Sequence, residues 1–466
     1  MTQSIAIIGA GISGLTSAYY LKKNFPEYDV TIYEASVHTG GKIHTVRRNG
    51  FTIELGPESY LGRKHIMTDI AKELGMEDEI VTNETGQAYI YANNELYKIP
   101  GGSILGIPTD WKPFYQSKLI SRKGKMRAGR ELFIRPLAMD KDMSVGTFFR
   151  KRLGDEVLEN LVEPLMGGIY GANIDELSLM STFPNFKEQE ERYGSLIKGM
   201  RQVKKEREKN KEEGAPKGQF NQFKNGLGSF IDKLVEYLRK EGVNFMFGTK
   251  VEKLNHTEEG VDLTLNNGDV QSFEGTIITT PHQAFIDWFK DDPKMDYFKT
   301  MPSTSVATVV LAFDEKDIEN TYDGTGFVIA RSSNTNITAC TWTSKKWPHT
   351  TPEGKVLVRA YVGKPGETII EDSSKAELVE LVLEDLSKMM NIKGRPVLEL
   401  VTKMPNSMPQ YLVGHRDEIK AIKHHVKETY PNIEMTGASF EAVGLPDCIS
   451  QASQAVQSLM MTLKTK

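Results

Sequence analysis

Three observations predict an α/β fold with α+β parts. A glycine turn joins a short apolar run to a helix at the start of the chain, helical periodicity replaces strand patterns through the middle, and strand texture then returns. Together they predict a discontinuous N-terminal Rossmann-like dinucleotide-binding domain, a mixed-sheet second domain and an inserted helical domain. The boundaries drawn are 1–55, 217–290 and 425–466 for the first, 56–100 and 291–424 for the second, and 101–216 for the third.

The opening unit carries most of the information. Ser4-Ile5-Ala6-Ile7-Ile8 reads as a strand, Gly9-Ala10-Gly11-Ile12-Ser13-Gly14 as the turn into a helix, and Val30-Thr31-Ile32-Tyr33-Glu34 as a second strand ending in an acid. Gly9 permits the tight turn, Gly11 lets the backbone approach a pyrophosphate, and Gly14 lets the helix pack closely on the strand. The helix N-terminus offers free N–H groups and a positive dipole end to phosphate around Ala10, Ile12 and Ser13. Glu34, with Ala35 beside it, stands in register for ribose hydroxyls.

Composition narrows the class. With 466 residues, 39% hydrophobic and 26% charged, the chain can bury a large core, and a net charge of −4 gives no reason to expect nucleic acid as a partner. Cys340 and Cys448 make no disulfide framework and read as buried thiols in a reducing cytoplasm. The start Met1-Thr2-Gln3-Ser4 lacks a basic n-region, so the first apolar run is expected to be a core strand, not a signal peptide. No apolar stretch approaches the roughly 18 residues of a transmembrane span.

Downstream of Glu34 come Gly40-Gly41-Lys42, where two glycines again admit phosphate beside a cation, and Gly56-Pro57-Glu58-Ser59, a turn able to pass a flat ring. Residues 65–75 show helical periodicity ending at a glycine, and 88–92 with 96–99 form a hairpin around Asn93-Asn94. The helical region includes 118–135, with seven basic residues against Glu131, suited to an anionic membrane surface, to the mouth of a pocket for an acidic ligand, or to a solvated helix face. The basic run 198–217 interleaves with glutamates and reads as an exposed helix or loop.

The amphipathic pattern of 227–240 ends at Gly242, and 243–247, 250–254, 261–265 and 276–280 return to strand texture, which makes the nucleotide domain discontinuous. Segments 305–313, 327–330, 339–343 and 356–362 predict a meander-like second sheet, followed by a helix over 375–390. Residues 437–449 form a second glycine-rich stretch that opens a terminal helix from about Pro446 to Lys464.

Three classes of function fit so far: an enzyme holding FAD, an NAD-dependent dehydrogenase, and a non-catalytic binding module. A resident flavin needs its ring held firmly, and glycine-rich segments at both ends of the chain favour FAD over a nicotinamide that must leave each turnover. Gly437, Ala438, Val443 and Gly444 are small enough for close backbone approach, with Leu445 and Ile449 on the helix that follows.

Taken together, Gly9 to Leu15, Gly40-Gly41-Lys42, Glu54-Leu55-Gly56-Pro57-Glu58-Ser59, Thr279-Thr280-Pro281-His282 and Gly444-Leu445-Pro446-Asp447-Cys448-Ile449 resemble the protoporphyrinogen/coproporphyrinogen oxidase family, within the wider flavin amine oxidase group. Glu163-Pro164-Leu165-Met166-Gly167-Gly168-Ile169-Tyr170-Gly171 and Ser407-Met408-Pro409-Gln410-Tyr411 look most like its soluble Gram-positive branch, which acts on coproporphyrinogen III.

The resemblance implies non-covalent FAD and six-electron oxidation of coproporphyrinogen III to coproporphyrin III, with three O2 reduced to H2O2 in haem biosynthesis. Protoporphyrinogen IX as substrate, and a flavin-binding scaffold without turnover, stay open as alternatives. Loss of hydride from a meso carbon flanked by two pyrroles leaves a resonance-stabilised cation, so little acid–base help is needed. No Ser/His/Asp, Cys/His or metal constellation stands out in the sequence, and His282 and His415 read as structural.

For the propionates, Arg63 and Lys64 are the cationic candidates, and Lys64 is the one residue placed in a catalytic role. The family pattern puts Gly168 and Ile169 over the macrocycle, Tyr361 against it from the second sheet, and the Val251 backbone against adenine. Met404 stands where some relatives have an aromatic flavin contact. A ferrochelatase receiving the product is the partner this family implies, with peripheral membrane contact open and no transmembrane span.

Overall fold

The computed structural model describes residues 3–84, 86–138, 141–209 and 218–464. Five parallel strands make the first sheet, in the order Asn244–Phe247, Asp29–Glu34, Ser4–Ile8, Gly275–Ile278 and Ile433–Met435. Ser4–Ile8 is apolar throughout because both faces of the sheet are covered. Ile5 and Ile7 pack under the helices Ile12–Asn24, Leu227–Lys240 and Leu445–Lys464, whereas Ala6 and Ile8 face the antiparallel sheet of Val251–His256, Val261–Leu265 and Val270–Phe273. Strand order reverses at Ser4–Ile8, so the crevice beyond Ile8 is a topological switch point, the usual ligand position in an open α/β sheet.

A second, seven-stranded sheet runs Leu398–Pro409, Ser303–Asp314, Lys355–Val362, Ile337–Thr341, Gly326–Ile329, Tyr89–Ala92 and Glu95–Lys98. It is mixed, because Gly326–Ile329 pairs parallel with Tyr89–Ala92 and the other neighbours are antiparallel. The hairpin at Asn93-Asn94 therefore extends the meander instead of standing apart; both asparagines take positive φ, as the turn requires. Helix Lys375–Ser387, started by a Ser374/Glu377 capping box, covers one face with Leu378, Val382 and Leu386.

The Leu398–Pro409 strand had no signal of its own. It carries Pro405 and Pro409 and is half-buried without alternation, features an edge strand tolerates and a central one does not.

Between strands Glu95–Lys98 and Phe220–Phe223 the chain forms helices Trp111–Gln116, Arg122–Gly129, Val145–Leu153, Glu163–Tyr170, Pro184–Tyr193 and Leu196–Lys209. Their core holds Phe148, Phe149, Leu158 and Leu161, and within it Arg152 Nε donates to Glu131 Oε1 at 2.9 Å, while Lys187 Nζ sits 2.6 Å from Glu190 Oε2. These four side chains are buried, so deleting one partner leaves an uncompensated charge costing about 3–5 kcal/mol.

The basic segment 118–135 divides by role. Lys125 is buried, donating to the Tyr115 and Ser117 carbonyls, and Arg127 caps the Val145–Leu153 helix through the carbonyls of Arg150, Lys151 and Arg152. Lys118, Arg122, Lys123, Arg130 and Arg135 face solvent beside exposed Met126 and Phe133. Residues 210–217 of the later basic run lie outside the described residues. No helix among the described residues is long and apolar enough to cross a membrane.

Candidate active site

At the switch point, Gly9 takes φ +107°, and its N–H donates to the Tyr33 carbonyl at 2.8 Å. A Cβ on Gly14 would stand 1.9 Å from the Gly9 carbonyl oxygen, so only glycine lets the helix start this close to the strand. Helix Ile12–Asn24 begins at Gly11 with no side-chain cap and no acid in its first turn, which leaves its N-terminal amides for an external anion. Glu34 closes the other side. Its Oε2 accepts the Ala10 N–H at 2.8 Å and its Oε1 the Ser36 N–H at 2.9 Å, holding the carboxylate at the strand end with lone pairs to spare.

The second glycine loop is stitched to the first. Gly40 N–H donates to the Ala10 carbonyl at 2.8 Å, and a Cβ on Gly41 would come within 3.1 Å of Gly11 Cα. Thr249 N–H donates to the Glu34 carbonyl at 3.0 Å, which carries the buried Val251, two residues on, to the same end of the site as Glu34 and Ala35.

Gly56 lies directly on this loop, because a Cβ there would be 1.7 Å from the Lys42 carbonyl oxygen. The Lys42 ammonium donates to the Ser407 carbonyl, and burial pushes it below its ordinary value. Its side chain keeps solvent-accessible surface all the same, the mark of a residue lining a cleft and not one sealed in a core.

Segment 56–59, with Pro57 and Ser59, runs over the second sheet. Arg359 donates to the Glu54 and Gly56 carbonyls, and Glu58 is buried with Oε2 2.6 Å from Lys346 Nζ. Burial works to raise the Glu58 carboxyl, but Lys346 and Arg359 overcome it and hold the group below its usual range.

The C-terminal segment closes the cleft. A Cβ on Gly437 would lie 3.3 Å from the Thr279 carbonyl and 3.5 Å from Ser13 Oγ, so the second glycine stretch abuts the first helix. Val443 and Gly444 lead directly into helix Leu445–Lys464, whose Ile449 is fully buried. Cys448 is buried near Ser13, and burial pushes its thiol up to about 11, which keeps it protonated and unreactive. Underneath, Tyr411 donates to the Ala438 carbonyl at 2.5 Å and stacks on His415 with ring centroids 4.2 Å apart.

The candidate substrate residues fall in three groups. Lys64 Nζ pairs with Asp447 Oδ1 at 2.5 Å, at the start of the terminal helix, and Asp447 in turn lies close enough to Tyr170 to raise its phenol, after the larger effect of burial. Gly168 and exposed Ile169 immediately precede Tyr170 on the Glu163–Tyr170 helix, which follows a π-helical turn at Leu158–Val162. Tyr361 is half-buried on Lys355–Val362, with the Arg359 guanidinium 5.2 Å from its ring centre. Arg63 is exposed beside Arg207 of the helix Leu196–Lys209, whose guanidinium is lowered first by burial and then by the Arg63 charge. Lys204 and Arg207 line a groove of about 220 Å³ with Ser103 and Ile104. A larger cavity of about 550 Å³, walled by Thr31, Tyr33, Asn244 and Phe273, opens elsewhere and holds none of these residues.

Sequence reasoning missed Lys346 and Arg207, neither of which stands in a recognisable pattern, and passed over Arg359 two residues before Tyr361 without a role. It quoted Asp447 and Thr280 within motifs without a role. Thr280 Oγ1, near Gly9, is buried with no hydrogen-bond partner among the described residues, so a hydroxyl is left for a bound molecule. No group of three or more His, Cys, Asp or Glu among the described residues is placed to hold a metal ion.

Residues 12–460 match the family described as flavin containing amine oxidoreductase. The chain belongs to that family. It is 61% identical over 466 residues to a coproporphyrinogen III oxidase of Staphylococcus aureus, covering 99% of this chain and 100% of that one. It is 45% identical to the coproporphyrinogen III oxidase of Bacillus subtilis, covering 98% of each. A solved structure from Exiguobacterium sp. 255-15, assigned as a protoporphyrinogen oxidase, superposes with a TM-score of 0.88 at 33% identity, over 100% of this chain and 99% of that one. Putrescine oxidase, at 15% identity and a TM-score of 0.70, shares the fold.

As a flavin-containing amine oxidoreductase the protein uses a flavin cofactor. Its residues fit one: uncapped amides at Gly11, a cleft that a Cβ on Gly41 would narrow, and the orphaned Thr280 hydroxyl line one continuous site.

Proposed function

We propose that this protein is an FAD-dependent oxidase that converts coproporphyrinogen III to coproporphyrin III, reducing three O2 to H2O2, in cytoplasmic haem biosynthesis. The observation that carries the reading is full-length identity of 61% to a coproporphyrinogen III oxidase together with an intact dinucleotide site. FAD is preferred over a mononucleotide because Glu34 and Val251 supply a ribose and adenine end that only a dinucleotide occupies.

The proposed organisation assigns 1–55, 217–290 and 425–466 to FAD, 56–100 and 291–424 to substrate, and 101–216 to the helical part. The amides of Gly11, Ile12 and Ser13 hold the pyrophosphate, Glu34 the ribose, and 56–59 with 443–449 the ring. When bound, the flavin accepts the electrons of each oxidation and passes them to O2.

The chain's own part is to orient a meso C–H and exclude water, with Gly168, Ile169 and Tyr361 against the macrocycle and Arg63 and Lys64 toward the propionates. Exposed Phe133 and Met126 beside Arg122, Lys123 and Arg130 give a face for peripheral contact with an anionic membrane, and a ferrochelatase receives the product. Porphyrin fluorescence and peroxide release, measured side by side with coproporphyrinogen III and protoporphyrinogen IX, test the reading. Faster turnover of the tetracarboxylate is expected; preference for the dicarboxylate, or turnover of neither, would overturn it.

A further inference from the structure

Behind segment 56–59 lies a charge arrangement that the orientation of substrate does not use. Glu58, Lys346 and Arg359 are packed into the junction between this segment and the second sheet; the Glu58 and Lys346 side chains are 7% and 13% exposed and the whole of Arg359 is 3%. Their formal charges are −1, +1 and +1, a net of +1 inside protein. Lys346 also lies over the rings of Phe220 and Trp347, at 5.0 and 5.5 Å from their centres, so it faces aromatic carbon on that side. Neither Glu58 Oε1 nor the Trp347 indole nitrogen has a partner at hydrogen-bond geometry among the described residues, although the indole lies close enough to stabilise the carboxylate.

Two acidic neighbours add no charge at the pH of the test. Glu54 accepts from Leu227 N–H and Thr45 Oγ1, and burial pushes its carboxyl up to about 7, so it is mostly neutral at pH 6. The Cys340 thiol, pushed up by burial, is neutral as well. Arg359 donates to the carbonyls of Glu54 and Gly56, fixing the charge to the backbone of the segment itself.

We propose that Glu58, Lys346 and Arg359 form a fixed positive backing to the flavin, and that Lys346, countered by Glu58, sets how readily the flavin accepts an electron pair. The inference rests on the reading that segment 56–59 lies against the ring. Each substrate hydride delivers two electrons and one proton, and the anionic reduced form carries one more negative charge than the oxidised form. A low-dielectric positive charge therefore favours reduction, and its removal disfavours it.

The test is the flavin midpoint potential of the holoenzyme at pH 6, read spectroscopically against reference dyes, for the wild type and four variants. Lys346→Met takes the net charge to 0 and should lower the reduction constant roughly tenfold, about 30 mV for a two-electron couple. Glu58→Gln takes it to +2 and should raise it. The double variant Glu58→Gln/Lys346→Met restores +1 and should return the potential towards that of the wild type; Lys346→Arg should leave it in place.

A role limited to positioning the segment would not reverse sign between the two single variants or cancel in the double. Shifts of the same sign in both, or no shift in either with flavin bound, would overturn the proposal while leaving the function intact. A wild-type protein that binds no flavin would overturn both.

Discussion

Acid should destabilise this protein through His415, and the effect can be worked from its surroundings. The imidazole is 2% exposed and stacked at 9° on Tyr411, with Nδ1 2.6 Å from the Tyr297 hydroxyl and Nε2 2.5 Å from the Phe440 carbonyl. The carbonyl can only accept, so Nε2 carries the proton and Nδ1 accepts from Tyr297, which satisfies the neutral ring. Burial, the largest cause, pushes the imidazole down from 6.5 to about 4, against the opposing Phe440 hydrogen bond. The unfolded chain therefore takes up a proton near 6.5 and the folded chain does not until about 4, so this stability is present above pH 6.5 and lost as pH falls through the window.

At about 1.4 kcal/mol per tenfold change in proton concentration, roughly 3 kcal/mol disappears by pH 4. In His415→Gln the ring cannot titrate, and lost stacking should cost about 1–2 kcal/mol at pH 7.5. Urea unfolding of both proteins between pH 7.5 and 4.5 should show that deficit closing and then reversing. Parallel profiles would refute the reasoning.

Glu54 should respond to pH with the opposite sense. Burial raises its carboxyl from 4.5 to about 7, so the folded state keeps a proton the unfolded state has released, and stability falls as pH rises through that window. Glu54→Gln should then unfold at higher urea than the wild type at pH 8, by roughly 3 kcal/mol at most, and show no such gain at pH 4.5. Gly56→Ala forces a Cβ to 1.7 Å from the Lys42 carbonyl and should cut bound flavin after purification, whereas Gly168→Leu enters open space and should keep flavin and melting temperature but raise the Michaelis constant. Lys64→Ala should raise the Michaelis constant for a tetracarboxylate porphyrinogen more than for a dicarboxylate, by up to about tenfold, the worth of one charge-assisted hydrogen bond. Equal effects would show that Lys64 serves Asp447 alone.

Local chemistry made much of the fold readable. The glycine turn, the helix Leu227–Lys240 and the hairpin at Asn93-Asn94 each declare themselves within a few residues, because cap, period and turn residue agree. Leu398–Pro409 did not, since an edge strand with two prolines and no buried face has no period to read. Nor did the parallel pairing of Gly326–Ile329 with Tyr89–Ala92, which joins segments far apart in the chain.

The site divides the same way. Glycines that must be glycine mark the nucleotide cradle. Lys346, Arg359 and Arg207 acquire meaning only from what folding sets beside them: a carboxylate at 2.6 Å, the carbonyls of the segment over the second sheet, and a neighbouring arginine. The basic segment 118–135 looked uniform as sequence and proved to be two structural cations among five exposed ones.

The central claim, that this flavin site oxidises a porphyrinogen, is tested most directly without oxygen. When the purified protein is mixed anaerobically with coproporphyrinogen III, the oxidised flavin absorbance should bleach as porphyrin fluorescence grows, and air should restore the absorbance with release of peroxide. An absorbance that stays unchanged in the presence of saturating porphyrinogen would contradict it.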